Sequence, residues 1–182
     1  MNKTVRNLYG IEKNEEISEG VYEIRLNAPE IAETAAAGQF VNIYLPGGEM
    51  LLPRPIGIAD AQDGILTLVY AVVGKGTEML AEMKNGGKIE VMGPLGTGFF
   101  DYAGSPVDRD GKTGSHPRTV LLIGGGLGLP PLFFAAKKLN YSAHWERCKS
   151  RFSPRNFAYF VVNNYSPLQW RTHYYKLATI SD

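Results

Sequence analysis

Through the first hundred residues the apolar positions recur mainly at every second residue, the period of a half-buried β-strand. Residues 21–26 set Tyr22, Ile24 and Leu26 on one face and Val21, Glu23 and Arg25 on the other. Residues 40–44 alternate Phe/Asn/Tyr against Val/Ile, residues 65–73 are nearly all β-branched or apolar, and 88–92 read as another short strand. Turn-forming residues at 27–29, 46–48, 62–64 and 86–87 separate them. Short strands with regular turn signals predict a small antiparallel barrel. One helix is expected over 77–84, with Met79, Leu80 and Met83 on one face. The run Gly93-Pro94-Leu95-Gly96-Thr97-Gly98-Phe99 reads as a turn closing the barrel.

The pattern then changes twice. Residues 100–117 are polar and rich in Gly, Asp and Ser, the composition of a linker or long loop. A buried strand at 119–123, a glycine cluster and a helix at 131–139 follow, an order that begins an α/β nucleotide-binding unit. All 21 glycines precede Asn140, and residues 141–182 have none. That tail nevertheless holds half of the aromatic residues and six Lys/Arg against two Asp/Glu. The expected organisation is a barrel at 1–100, a linker at 101–117, the start of an α/β domain at 118–140 and an atypical tail at 141–182.

Composition narrows the chemistry. A net charge of +1 over 182 residues gives no global field for nucleic acid or membrane. One cysteine, Cys148, excludes an internal disulfide and a cluster held by four cysteines of this chain. Residues 1–6 run into a polar, strand-like stretch without the apolar core of a signal peptide. The longest apolar run, 120–136, is broken by glycines and prolines and is short for a membrane span. A cytoplasmic location is expected. His116, His144 and His173 lack metal spacing, and no Ser/His/Asp or paired-carboxylate constellation stands out.

Three motifs carry candidate chemistry. In Arg54-Pro55-Ile56-Gly57-Ile58-Ala59-Asp60 the Arg fork suits a phosphate, Pro55 fixes the backbone, and strand amides can face a flat ring. The competing reading is an ordinary Arg at a barrel edge. In Val69-Tyr70-Ala71-Val72-Val73-Gly74-Lys75-Gly76-Thr77, Tyr70 offers an aromatic face for stacking on flavin or adenine. Gly74 and Gly76 permit close backbone approach to a phosphate, and Thr77 is placed at a helix N-cap. The competing reading is a strand, a turn and a capped helix without ligand. The run Gly124-Gly125-Gly126-Leu127-Gly128-Leu129-Pro130-Pro131 fits a phosphate-binding turn, although Leu129 stands at the last glycine position of G-x-G-x-x-G. The acidic ribose partner expected about 20 residues later could only be Glu146.

In this order, Gly38-Gln39-Phe40, RPIGIAD, VYAVVGKGT, GPLGTGF and LLIGGGLGLPPL resemble the electron-transfer subunit of B-type dihydroorotate dehydrogenase, in the ferredoxin reductase-like superfamily. The resemblance spans 21–139. It implies an antiparallel FAD-binding barrel followed by an incomplete Rossmann-like, NAD-binding α/β domain. It also implies a [2Fe–2S] cluster on C-terminal cysteines, whose ligands this sequence lacks. The implied function is passage of electrons from dihydroorotate, oxidised at FMN in a partner catalytic subunit, to NAD in pyrimidine biosynthesis. The implied assembly is a hetero-oligomer. By motif, the FAD contacts would be Arg54, Pro55, Ile56, Gly57, Val69, Tyr70, Ala71, Gly76 and Thr77, and Gly124, Gly125, Gly126 and Gly128 would line the NAD cleft. The family usually has Ser where Gly57 stands and a basic residue where Ala71 stands. For the tail, a divergent truncated ending competes with a reading-frame shift near Asn140, which the abrupt compositional change favours. Two other functions remain open: a stand-alone flavin or ferredoxin–NADP reductase-like oxidoreductase, and an inactive truncated barrel or binding module.

Overall fold

A computed structural model describes residues 4–47, 51–99, 119–138, 142–147 and 157–163. Six strands close into an antiparallel barrel: β1 (Val5–Ser18), β2 (Val21–Asn27), β3 (Phe40–Tyr44), β4 (Arg54–Gln62), β5 (Ile65–Ala71) and β6 (Lys88–Leu95), in the order β1-β2-β5-β4-β3-β6. Strand alternation puts one side-chain set inward. Ile24, Leu26, Val41, Ile43, Ile58, Leu66, Leu68 and Val91 are fully buried and form the core with Tyr70. The register Ile24↔Leu68 and Leu26↔Leu66 stacks matching apolar positions across β2 and β5.

The longest strand, β1, lacks this signature. Of its 14 residues only Tyr9 and Ile11 are buried. Pairing with β2 on one side and β6 on the other holds it in place. The Tyr9 hydroxyl also donates to Glu30 Oε2 (2.7 Å) on the short helix α1 (Pro29–Ala32). Burial first, and then the Glu30 carboxylate, raise the Tyr9 pKa and keep this donor protonated.

Two expected boundaries shift. Residues 93–95 belong to β6, which continues past the cis Gly93–Pro94 bond to pair Val5↔Gly93 and Phe40↔Leu95. The turn therefore begins at Gly96 (φ +79). Helix α2 (Lys75–Ala81) starts and ends earlier than its apolar spacing suggests, and β5 stops at Ala71 rather than at 73.

Gly38-Gln39-Phe40 is a structural junction. Gln39 is buried; Ala36 N–H donates to its Oε1 (2.7 Å), its Nε2 donates to Gly96 O (2.9 Å), and its carbonyl accepts from Ile58 N–H (3.0 Å). One residue thus ties the loop before β3 to the turn after β6 and to β4. Gln39→Leu strands the Ala36 N–H and the Gly96 carbonyl. It should cost about 2 kcal/mol in the chemical denaturation of the full chain. An unchanged midpoint and slope would show that water replaces both bonds.

After the barrel, β7 (Thr119–Gly125), a 3₁₀ turn (Gly126–Gly128) and helix α3 (Leu129–Lys138) appear in the expected order. Helix α3 begins two residues before the expected start, because the turn leads directly into it. It packs on β4, with Phe134 and Ala135 buried in the barrel's apolar cluster. Lys137 Nζ meets Asp60 Oδ2 at 2.6 Å. Strands β8 (Ser142–Arg147) and β9 (Phe157–Asn163) form a three-stranded sheet with β7 in the order β7-β9-β8, and both pairings are antiparallel. The expected linker at 101–117, and with it His116, Cys148 and His173, lie outside the described residues.

Candidate functional site

The hairpin pairing Ile58↔Leu68 runs the start of β4 beside the end of β5. Two of the three motifs thereby become neighbours. The third joins them, because the Gly126–Gly128 turn lies beside β5 and Pro131 of α3 lies over Gly57. A Cβ placed at Gly57 would be 3.2 Å from Pro131 Cγ, so a glycine lets α3 sit close to β4.

Side-chain parity sorts the motif residues. Ile56 and Ile58 point into the core with Leu68 and Tyr70. The alternate positions Pro55 and Gly57 on β4, and Val69 and Ala71 on β5, face outward. Of these, Pro55 is exposed and Ala71 half-buried, while Val69 is buried and Gly57 lies under Pro131.

Arg54 is the first residue of β4, beside Pro55. Its Nη2 donates to Leu52 O at 2.8 Å, while its Nε is buried and finds no acceptor among the described residues. A Cβ at Gly76 would lie 3.0 Å from Arg54 Cδ and 3.1 Å from Nη1. The backbone at the start of α2 therefore rests against the guanidinium, and a side chain at 76 would push it aside. A buried guanidinium N–H without an acceptor is costly, and an anion is the natural group to satisfy it. Leu51, Leu52 and Val73 are exposed apolar neighbours in sequence of Arg54 and Gly74.

Two expected roles are corrected. Thr77 is the third residue of α2, not its N-cap, which is Gly74. The Thr77 Oγ1 accepts from Val73 N–H (2.9 Å) and Gly74 N–H (3.2 Å) and donates to Gly74 O (2.9 Å). Its hydroxyl is spent on closing the turn. Tyr70 shows no face to the outside. It is 2% exposed, its ring stacks on Tyr22 at 5.7 Å, and its hydroxyl donates to Asn14 Oδ1 at 3.0 Å. Burial raises its pKa and the Tyr22 phenol adds to this, against the opposing Asn14 hydrogen bond. The cause of the correction is parity: two residues after the inward Leu68, Tyr70 must also point inward.

The glycine turn divides likewise. A Cβ at Gly124 would fall 2.5 Å from Leu132 Cδ1, so this glycine serves strand–helix packing. Gly126 (φ +53) and Gly128 are exposed and leave their backbone open. Glu146 lies on β8 in register with Tyr159. Among the described residues no three His, Cys, Asp or Glu side chains gather as metal ligands, and no helix is long and apolar enough to cross a membrane.

Asn14 and Leu52 take part in this geometry without belonging to any motif. Nothing in the sequence signals them, because one acts through a side-chain amide on a polar strand and the other through a backbone carbonyl.

No family model matches the chain. A solved structure of an NADH-dependent reduced ferredoxin–NADP oxidoreductase, studied for flavin-based electron bifurcation, superposes with a TM-score of 0.56 at 28% identity. That match covers 74% of this chain and 44% of the other. The barrel, with the strand, glycine turn and helix that follow it, is of the ferredoxin reductase-like class.

The electron-transfer subunit of dihydroorotate dehydrogenase B (NAD(+)) from Fusobacterium nucleatum is 38% identical over 133 residues, 71% of this chain and 48% of that protein. The corresponding subunit from Enterococcus faecalis is 38% identical over 122 residues, 66% of this chain and 43% of that protein. Over this matched part, the chain is a homologue of the electron-transfer subunit of dihydroorotate dehydrogenase B. It spans just under half the length of these relatives.

Proposed function

We propose that the chain binds FAD on the outer face of β4 and β5, as the flavin-bearing part of a subunit that passes electrons from dihydroorotate oxidation to NAD. The Arg54 guanidinium carries this reading: its Nε is buried without an acceptor among the described residues, its Nη1 lies beside Gly76, and a pyrophosphate would supply the missing acceptor. The backbones of Val69, Tyr70 and Ala71 and the strand at Pro55 and Gly57 would face a planar ring. Ile56 anchors that strand from inside the barrel, and Thr77 shapes the loop through its turn-closing bonds. The exposed backbone at Gly126 and Gly128 would approach the nicotinamide nucleotide, with Gly124 and Gly125 holding the strand end behind it.

When bound, FAD would supply hydride exchange at its N5. The protein's part would be orientation: Arg54 would hold the phosphates, β4 and β5 would support the ring, and Pro131 of α3 would border it at Gly57. The reaction needs no acid or base from the chain. A [2Fe–2S] site is not made by these residues, because one cysteine cannot supply its ligands. In the relatives' name the word subunit points to a catalytic partner, and a dihydroorotate-oxidising, FMN-bearing chain is the one proposed here.

The test is flavin uptake. The purified full chain, incubated with FAD and desalted, should keep a flavin spectrum at about one equivalent. A colourless protein after this treatment overturns the reading.

A further inference from the structure

Asn14 has an unusually complete set of partners. Its Nδ2 donates to Leu80 O (2.8 Å) in the last turn of α2 and to Met83 O (3.0 Å) just past it, with Ala81 O at 3.5 Å. Its Oδ1 accepts from the Tyr70 hydroxyl, and its backbone N–H donates to Asn85 Oδ1 (2.8 Å) just after the helix. The last turn of a helix presents carbonyls without intrahelical donors, and here one side chain from β1 takes two of the carbonyls in this region. The Tyr70 hydroxyl, buried in the core, in turn fixes the Asn14 amide with its NH₂ group toward α2. At the other end of this seven-residue helix, Gly76 rests on Arg54. Leu80, fully buried, is the apolar anchor between the two ends. An apolar anchor sets depth well but rotation poorly, because the hydrophobic effect is non-directional. The directional bonds to Asn14 supply the rotation.

We propose that Asn14 and the Tyr70 hydroxyl are positioning residues for the phosphate site: they clamp the end of α2 and thereby hold the Gly76 backbone at the Arg54 guanidinium. This rests on the FAD reading above. It gives Tyr70 a role in flavin affinity while its ring stays inside the barrel. The effect should be confined to the phosphate-bearing part of the ligand, since Asn14 lies outside the β4–β5 surface and Tyr70 contributes to it only through its backbone, which the loss of the hydroxyl leaves in place.

The experiment compares FAD with riboflavin, which has the ring but no phosphate, by titrating the full chain and following flavin fluorescence. Tyr70→Phe removes one hydroxyl and leaves the packing. It should weaken FAD about fivefold, the scale of one lost hydrogen bond, and change riboflavin by less than twofold. Asn14→Asp keeps the acceptor for Tyr70 but loses both bonds to the carbonyls, and should weaken FAD more, roughly thirtyfold, again sparing riboflavin. In ligand-free protein, both variants should speed exchange of the Glu82 and Met83 amides while the core β-strand amides keep their rates. If both flavins weaken equally, or neither does, or helix exchange is unchanged, the clamp is overturned. Wild-type protein that binds no FAD would instead overturn the FAD reading, and the phosphate role would fall with it.

Discussion

Arg54→Ala should lower FAD affinity by about 3 kcal/mol, roughly 150-fold in Kd, with almost no loss of stability in the ligand-free protein. The magnitude follows from losing paired, charge-assisted hydrogen bonds to a phosphate. The stability half is the sharper part. Among the described residues Arg54 makes one side-chain hydrogen bond, to Leu52 O, and its buried Nε has no acceptor. Truncating it removes a stabilising hydrogen bond and an offsetting desolvation cost together, so the denaturation midpoint should move by the equivalent of less than about 1 kcal/mol. Arg54→Lys should recover only part of the affinity, because an ammonium offers a point charge without the planar fork. An Arg54→Ala protein with normal FAD affinity and a large stability loss would make Arg54 an ordinary barrel-edge side chain, the competing reading of its motif.

Gly38→Ala should destabilise the barrel by about 3 kcal/mol. Two costs add. The position has φ +97, where an L side chain is strained. The new Cβ would also lie 2.8 Å from the Phe99 ring and 2.9 Å from its backbone nitrogen. The ring could swing aside, since Phe99 is 43% exposed, but the backbone is pinned by the Phe99 N–H to Ala37 O bond (2.8 Å). Overpacking against fixed backbone is what makes this position severe. Gly64→Ala is the control. Its φ is similar, +78, but its nearest neighbour is Pro29 Cβ at an ordinary 3.5 Å, so only strain of about 1 kcal/mol remains. Denaturation of the two variants beside the wild type separates the terms. Equal losses would show that Phe99 gives way freely. Because Gln39 bonds Ile58 of β4, a shifted Gly38 should also weaken FAD binding.

Where one face of a strand is apolar, local pattern and structure agree. Strands β2 and β3 lie where the alternation puts them, and β5 differs only in stopping at Ala71. The strand–glycine turn–helix order at Thr119–Lys138 was legible because glycine punctuates apolar runs there. Strand β1 was not, since barrel closure can hold a polar strand by backbone pairing with little apolar burial. Thr77 misled because Thr is a favoured N-cap type, yet three positions into the helix its hydroxyl can reach back to the same amides. Tyr70 misled because an aromatic next to a glycine motif suggests stacking, while strand parity commits it to the core.

By itself the sequence determined the alternation of β2 and β3, the three motifs and their order, because side-chain alternation, glycine and proline act through the local backbone. Only the tertiary structure decided which motif atoms meet. It set Gly76 under Arg54, Pro131 over Gly57, and Asn14 between Tyr70 and the end of α2. Those contacts join residues distant in sequence, and their geometry depends on register, strand parity and closure of the barrel, which no local pattern carries.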